Sequence, residues 1–319
     1  VRALPLDVTK SQTPTLEPEN WRLRHPALAR FSRSAISIFA FFAILFILFV
    51  TVFGPGLHGV DPTAMDMELL GMPQGPSRAH PMGTDYQGRD VLARVLLGAR
   101  ISISVGVVSM LINLLIGVSV GTAAAWIGGW FDAFVMRIVD ALYSIPLLLI
   151  VILLQVFVKP VIERIIPPGS DVPLMLSPDL LSIYIALGVA NWLTMARLTR
   201  AEVLNQSRRD YVSAARSLGA GNLRILIRHI LPNCMAPLVV AATLAIPEAI
   251  YVEAFLSFIG LGVSAPLASW GSLASDAVKA LQDSPHELIF PALAISFTML
   301  AFILFGDGLR DALDPSGKK

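Results

Sequence analysis

Charge is scarce in this 319-residue chain: Asp, Glu, Lys and Arg together make up 15%, against about a quarter in soluble domains. A chain this poor in charge cannot solvate the surface of a globule of its size. The hydrophobic fraction of 55% and the mean hydropathy of +0.69 point the same way. Cysteine is nearly absent, and the single Cys234 excludes both an internal disulfide framework and a cysteine metal cluster. Five scattered histidines argue against a histidine metal centre. No G-x4-G-K-[ST] sequence occurs, and the one Gly-Lys pair is Gly317-Lys318, so no phosphate-cradling loop for ATP is expected. H-E-x-x-H is missing, and no Ser, His and Asp set falls within the apolar stretches, which argues against an intramembrane hydrolase. No cleavable signal peptide is expected, because about 30 polar residues precede the first apolar run.

What the chain does have is apolar runs, and a hydrocarbon core takes about 20 residues. Six such runs cover 34–53, 101–125, 133–158, 179–195, 234–259 and 288–305. They predict an all-α polytopic membrane protein with six transmembrane helices. Ahead of them, 1–33 is polar. Its part 5–19 reads as disordered, and 21–33 as a surface helix or a plain stop-charge cluster. The first span, 34–53, ends at the helix-breaking Gly54-Pro55-Gly56. Residues 54–100 form an external loop. Within it Asp90 is expected to cap a helix from Val91 to Ala99 lying parallel to the membrane. Residues 101–305 would be a five-helix core, holding a cytoplasmic loop at 197–233, and 306–319 a polar tail.

Inside the core, Gly117 and Gly121 form a G-x-x-x-G that lets helices approach closely. Trp126 and Trp130 suit the interface. Pro146 predicts a kink in the third span, or a break at Ile145. Arg137 and Asp140, three apart on one face, either pair or merely anchor at headgroup depth. External loops at 159–178 and 263–287 complete the count, the second containing Ser269-Trp270-Gly271. With the amino terminus inside, the inner segments hold 17 Lys and Arg and the outer ones 7, so both termini are expected in the cytoplasm.

That orientation makes 208–233 a basic cytoplasmic stretch between apolar spans. Asp210 is expected to cap a helix from Tyr211 to Leu218. Tyr211, Ala214, Ala215 and Leu218 follow i, i+3, i+4, i+7 and form one apolar face. Gly219 suits the left-handed position just past the helix. Asn222 would cap a second helix through Ile230, which Pro232 ends or kinks. The first helix either fits a groove on another protein or lies on the membrane with snorkelling arginines.

Ser213-Ala214-Ala215, three residues, Gly219, nine residues, then His229-Ile230-Leu231-Pro232 resembles the E-A-A-x3-G-x9-I-x-L-P loop of inner-membrane permeases of binding-protein-dependent ABC importers. Ser213 stands in place of the usual Glu and His229 in place of Ile. The ending through Asn233 is similar to the dipeptide, oligopeptide and nickel branch, C-type subunit. Gly83-Thr84-Asp85, Gly128-Gly129-Trp130, Phe258-Ile259-Gly260-Leu261-Gly262, Ser269-Trp270-Gly271 and 306–315 agree in order.

The resemblance implies the type I, MetI-like permease fold. It also implies a heterodimeric pore with a homologous second permease, two ATPase subunits that bind ATP and Mg, and an extracytoplasmic binding protein. The subunit itself is expected to be non-catalytic, with no cofactor of its own and no nucleic-acid partner. Asp210, Tyr211, Ser213, Ala214, Ala215, Leu218, Gly219, His229, Leu231 and Pro232 would then form the ATPase coupling site, and dipeptides or oligopeptides would be the cargo, with nickel and opine-like solutes as alternatives. The rival class is a secondary transporter, which needs no docking helix. Polar residues inside spans are the pathway or gate candidates: Asn113, Glu248, Glu253 and Ser257, with Ser109 beside them.

Overall fold

The computed structural model describes residues 26–313. The expectations for 1–25, including the disordered stretch 5–19, and for the last six residues lie outside the described residues. Part of the segment 21–33 is helix α1 (Pro26–Phe31). It packs on the last helix, with Phe31 edge-on to Phe305 at 5.7 Å between ring centres.

Helix α2 (Ala35–His58) begins at Ser34, whose hydroxyl accepts from the Ser37 amide. It does not stop at Gly54-Pro55-Gly56 as the breaker signal predicts. Pro55 cannot donate to the Thr51 carbonyl. Arg100 supplies the missing donor, with Nε 3.0 Å from Thr51 O and Nη2 2.8 Å from Val52 O. The helix ends instead at left-handed Gly59.

Helix α3 (Val91–Ile127) runs 37 residues without a break. Asp90 does cap it, accepting from the Ala93 amide at 2.7 Å. The expected surface helix from Val91 to Ala99 is therefore the N-terminal part of this helix rather than a separate element. Its residues Val91, Val95 and Ala99 are buried in a hydrophobic cluster with α2 and the last helices, so a turn at 100 would expose them.

The third span is broken, not kinked. α4 (Gly129–Tyr143) and α5 (Leu147–Ile165) meet at 96°, with Pro146 as the cap of α5. The expected turn around Trp126 is confined to Gly128. Then come α6 (Pro178–Ser207), α7 (Asp210–Ser217), α8 (Asn222–Ile225), a π turn at Leu226–Ile230, and α9 (Leu231–Phe258). The expected external loop at 263–287 contains a further helix, α10 (Trp270–Val278), started by a capping box at Ser269 and Ser272. Trp270 is buried and its Nε1 donates to Val95 O at 2.9 Å, which folds this segment into the bundle against the N-terminal part of α3. α11 (His286–Leu313) continues past 305 through the expected polar tail, because Gly306 and Gly308 are buried against Leu244 and Ser37. Among the described residues, five helices are long and apolar enough to cross a membrane, six with α4 and α5 counted as one broken span.

Candidate functional site

At the C-terminal end of α6 the chain turns into α7. Arg209 occupies the cap position without a side-chain hydrogen bond, and Asp210 is the first helical residue rather than the cap. Its carboxylate still suits the positive end of the helix dipole. The predicted face is turned by about one residue. Val212 is fully buried, with Tyr211 and Ala215 packed beside it on Val203, Ile225 and Ile230. The Tyr211 hydroxyl donates to Gln206 Oε1 at 3.0 Å. Ser213 and Ala214 point outward, and Leu218 is 88% exposed. Val212 was legible as an apolar residue three before Ala215.

Gly219 closes α7 at φ +82° with nothing near a would-be Cβ, so backbone conformation alone requires glycine. The Ala220 amide donates to Ala215 O and the Gly219 amide to Arg216 O, which satisfies the last carbonyls. Gly221, not Asn222, caps α8. The second helix does not run regularly to Ile230 but passes into a π turn at Leu226–Ile230, and Pro232 does not end it. The π turn shifts the Leu231 amide onto Leu226 O, and the Asn233 side chain donates to His229 O at 2.6 Å. The widened turn thus accommodates the proline and joins α8 to α9. His229 is half-buried and Leu231 packs on the α7 cluster.

Two ion pairs missed from the sequence brace α4 against α6. Arg200 donates twice to Asp132, at 2.5 and 2.6 Å. Arg197 pairs with Asp140 and lies 4.2 Å from the centre of the Tyr143 ring. Asp140 therefore turns to Arg197 rather than to its neighbour Arg137. The break between α4 and α5 leaves a cleft of about 200 Å³ lined by Tyr143, Pro146, Asn191, Thr194 and Glu248.

The pathway candidates separate. Glu248 is exposed to that cleft. Glu253 is fully buried, accepting from Ser257 Oγ at 2.7 Å and Ser102 Oγ at 3.3 Å. Ser102 Oγ in turn accepts from the Trp270 amide, and Ser257 Oγ lies 3.2 Å from Ser269 Oγ. This network binds α3, α9 and α10 at the end of the bundle opposite α7. Asn113 and Ser109 are buried in α3, and Asn113 Oδ1 and Ser109 Oγ have no hydrogen-bond partner among the described residues. Also among the described residues, no group of three His, Cys, Asp or Glu is placed to hold a metal.

The family model described as "Binding-protein-dependent transport system inner membrane component" matches residues 114–319. The chain is 42% identical over 293 residues to the oligopeptide transport system permease protein OppC of Bacillus subtilis (strain 168), covering 92% of this chain and 90% of that protein. It is 40% identical to the dipeptide transport system permease protein DppC of the same organism, over 91% and 84% of the two chains. It is 36% identical over 319 residues to the glutathione transport system permease protein GsiD of Escherichia coli O6:K15:H31 (strain 536 / UPEC), covering 100% and 96%. Among solved structures, the inward-facing MetNI methionine ABC transporter shares its fold, with TM-score 0.54 at 19% identity over 70% of this chain and 96% of that one. The chain belongs to the family of binding-protein-dependent transport system inner membrane components, as a multi-pass permease subunit of the C type.

Proposed function

We propose that this chain is one half of a heterodimeric pore that moves dipeptides or oligopeptides across the cytoplasmic membrane by alternating access, driven by two separate ATPase subunits. The observation that carries this is α7. It is a short helix fixed through Val212, Tyr211 and Ala215 to the core, yet it presents Ser213, Ala214 and Leu218 outward. Such a helix has its own packing satisfied and still offers an apolar, small-residue surface to a groove. The excess of basic residues in 1–33, 197–233 and 306–319 supports both termini and α7 on the cytoplasmic side.

The coupling chain follows from contacts. A tilt of α7 acts through Val212 on Ile225, Leu226 and Ile230, which share one cluster with Cys234 and Leu238 at the start of α9. α9 carries Glu248 at its middle, next to Pro247. Movement at the coupling helix therefore reaches the cleft at the α4–α5 break through one continuous rod. ATP with Mg on the partner subunits biases the two arrangements, and an extracytoplasmic binding protein delivers the cargo. The cargo named for the relatives above is oligopeptide, dipeptide and glutathione. Glu248 in its cleft suits the ammonium end of such a cargo, Asn113 is a further pathway group, and the Glu253–Ser257 network acts as a closed outer gate.

The test is reconstitution. The chain is expressed with its neighbouring permease and ATPase genes, placed in liposomes, and assayed for uptake of labelled peptides. Uptake that requires ATP and the cognate binding protein is expected. Failure of any ATPase subunit to assemble with the chain overturns the coupling role of α7 and favours a secondary transporter. ATPase activity without peptide uptake overturns the cargo alone.

A further inference from the structure

On the face opposite α7 lies a cavity of about 840 Å³, between the outer end of α5, the 259–267 loop and α10. Small-molecule sites span about 300–1,000 Å³. Of the four cations in its wall, three are ion-paired, two of them on a single carboxylate. Arg89 and Arg94 converge on Asp85, and Lys159 lies 2.7 Å from Asp179. The fourth, Lys279 at the end of α10, is exposed and has no ion-pair partner among the described residues.

A second group in the wall is incomplete in the opposite sense. Gln155 of α5 is 3% exposed, and its Nε2 donates to Ser182 Oγ at 3.0 Å. Its Oε1 is left without a donor among the described residues. A buried amide oxygen without a partner costs about 1–3 kcal/mol, so a ligand N–H placed there removes a standing penalty. The floor is the C-terminal end of α9, at Phe258, Ile259 and Gly260, where the negative end of a helix dipole favours an ammonium. One cation without an ion-pair partner among the described residues, one orphan acceptor and one negative helix end thus border a single polar cavity.

We infer that this vestibule is a receiving site for a short zwitterionic peptide, before it reaches the cleft at Glu248. The Lys279 ammonium takes the peptide carboxylate, Gln155 Oε1 accepts a peptide N–H, and the end of α9 faces the amino terminus. This rests on the peptide-import reading above and adds to it a contact outside the α4–α5 cleft.

The test uses the assembled importer in liposomes with its binding protein saturated, so that the binding protein's own affinity drops out. Uptake of one peptide is compared with uptake of its C-terminally amidated form, for the wild type and for Lys279→Arg, Lys279→Gln and Lys279→Glu. Lys279 is exposed, so all three substitutions leave the fold intact. Lys279→Gln is expected to lower uptake of the free acid by about fivefold, with a further loss for Lys279→Glu, retention in Lys279→Arg, and no change for the amide. Equal losses for acid and amide overturn the inference and assign Lys279 to docking of the binding protein instead. No loss in any variant also overturns it. A wild-type complex that takes up neither peptide refutes the import reading itself, an outcome distinct from both.

Discussion

Helices α3 and α6 meet along a seam where two glycines of α3 face the backbone of α6, and one methyl group there is measurable. A Cβ added at Gly121 lies 2.8 Å from Thr199 Cβ and closer still to the Ala196 carbonyl oxygen. Carbon atoms rest at about 3.5–4.0 Å, so the shortfall to Thr199 is at least about 0.7 Å. Neither neighbour can yield by changing rotamer, because one is a β-carbon and the other is backbone. Rolling the helix gives no relief, since one turn earlier a Cβ at Gly117 meets Met195 Cγ at 2.7 Å. Overpacking of this kind costs about 1–3 kcal/mol. Alanine recovers about 1 kcal/mol of helix propensity, so Gly121→Ala alone understates the clash. Gly56→Ala isolates it: Gly56 is also helical, is exposed, and has nothing within 4 Å of a new Cβ. The difference between the two variants is expected to be about 1–3 kcal/mol, or about 2–8 °C in unfolding temperature. It is read from thermal unfolding of the purified chain in detergent. If Gly121→Ala unfolds within about 1 °C of Gly56→Ala, the seam is not close-packed and the account of α3 on α6 is wrong.

Two further outcomes are expected. Leu218→Glu, on the exposed side of α7, should leave the chain in the membrane at normal thermal stability while cutting co-purification of the ATPase subunits by tenfold or more, on the order of one lost hot spot; wild-type recovery of the complex would count against the outward face of α7. Ala215→Trp should also lose the ATPase, but together with stability, because Ala215 packs inward beside Val212. Asp90 supplies a pH dependence: burial opposes its charge, but the Ala93 amide and the imidazoles of His80 and His58 outweigh that and hold its carboxyl below the usual aspartate range. A depressed carboxyl stabilises the fold above its unfolded value of about 3.9 and loses that contribution as pH falls through the folded value. The unfolding-temperature gap between wild type and Asp90→Asn should therefore hold at about pH 5 and close as pH falls below the unfolded value of about 3.9 and through the lower folded one; a gap that persists once the carboxyl is protonated would refute the role of the Asp90 carboxylate.

Much of the helical content was readable because hydrophobic length and cap residues are local signals. Asp90 before Val91, Pro146 within an apolar run and Gly219 after a short amphipathic helix each act within a few residues of themselves. What could not be read were the places where a distant group overrides a local signal. Gly54-Pro55-Gly56 is a breaker by composition, yet α2 passes through it because Arg100 donates to the carbonyl that Pro55 abandons. Arg137 and Asp140 look like a pair at three residues' spacing, yet Asp140 meets Arg197 from 57 residues away. The expected tail after 305 opens with two glycines, Gly306 and Gly308, and reads as the end of a helix. Both glycines are instead close contacts, and the helix continues through them. In each case the sequence shows a defect in one element, and only the packed bundle shows the partner that repairs it.

The two acids of α9 show how far a sequence argument about a membrane pathway can go. Glu248 and Glu253 are five residues apart, so on a helix they point about 140° from one another. Periodicity alone therefore says that they cannot share a role. It cannot say which one faces the path, because both sit in apolar surroundings beside small residues. The decision comes from what lies opposite each. Facing Glu248 is the α4–α5 break, where a bend of 96° removes the side chains a continuous helix would have packed there. Facing Glu253 are Ser102 and Ser257, which saturate it from α3 and from its own next turn, with α10 locked on through the Trp270 amide. Glu253 is enclosed, with donors from α3 and from its own helix, whereas Glu248 is left open to the cleft, as the proposed pathway role requires. The same helix thus joins the network with α3 and α10 near its C-terminal end, exposes an acid along its length, and is joined at its N-terminal end to α7 through the π turn. Rigid-body tilting of α9 about its N-terminal end would change all three together, which is the mechanical requirement of the coupling proposed above.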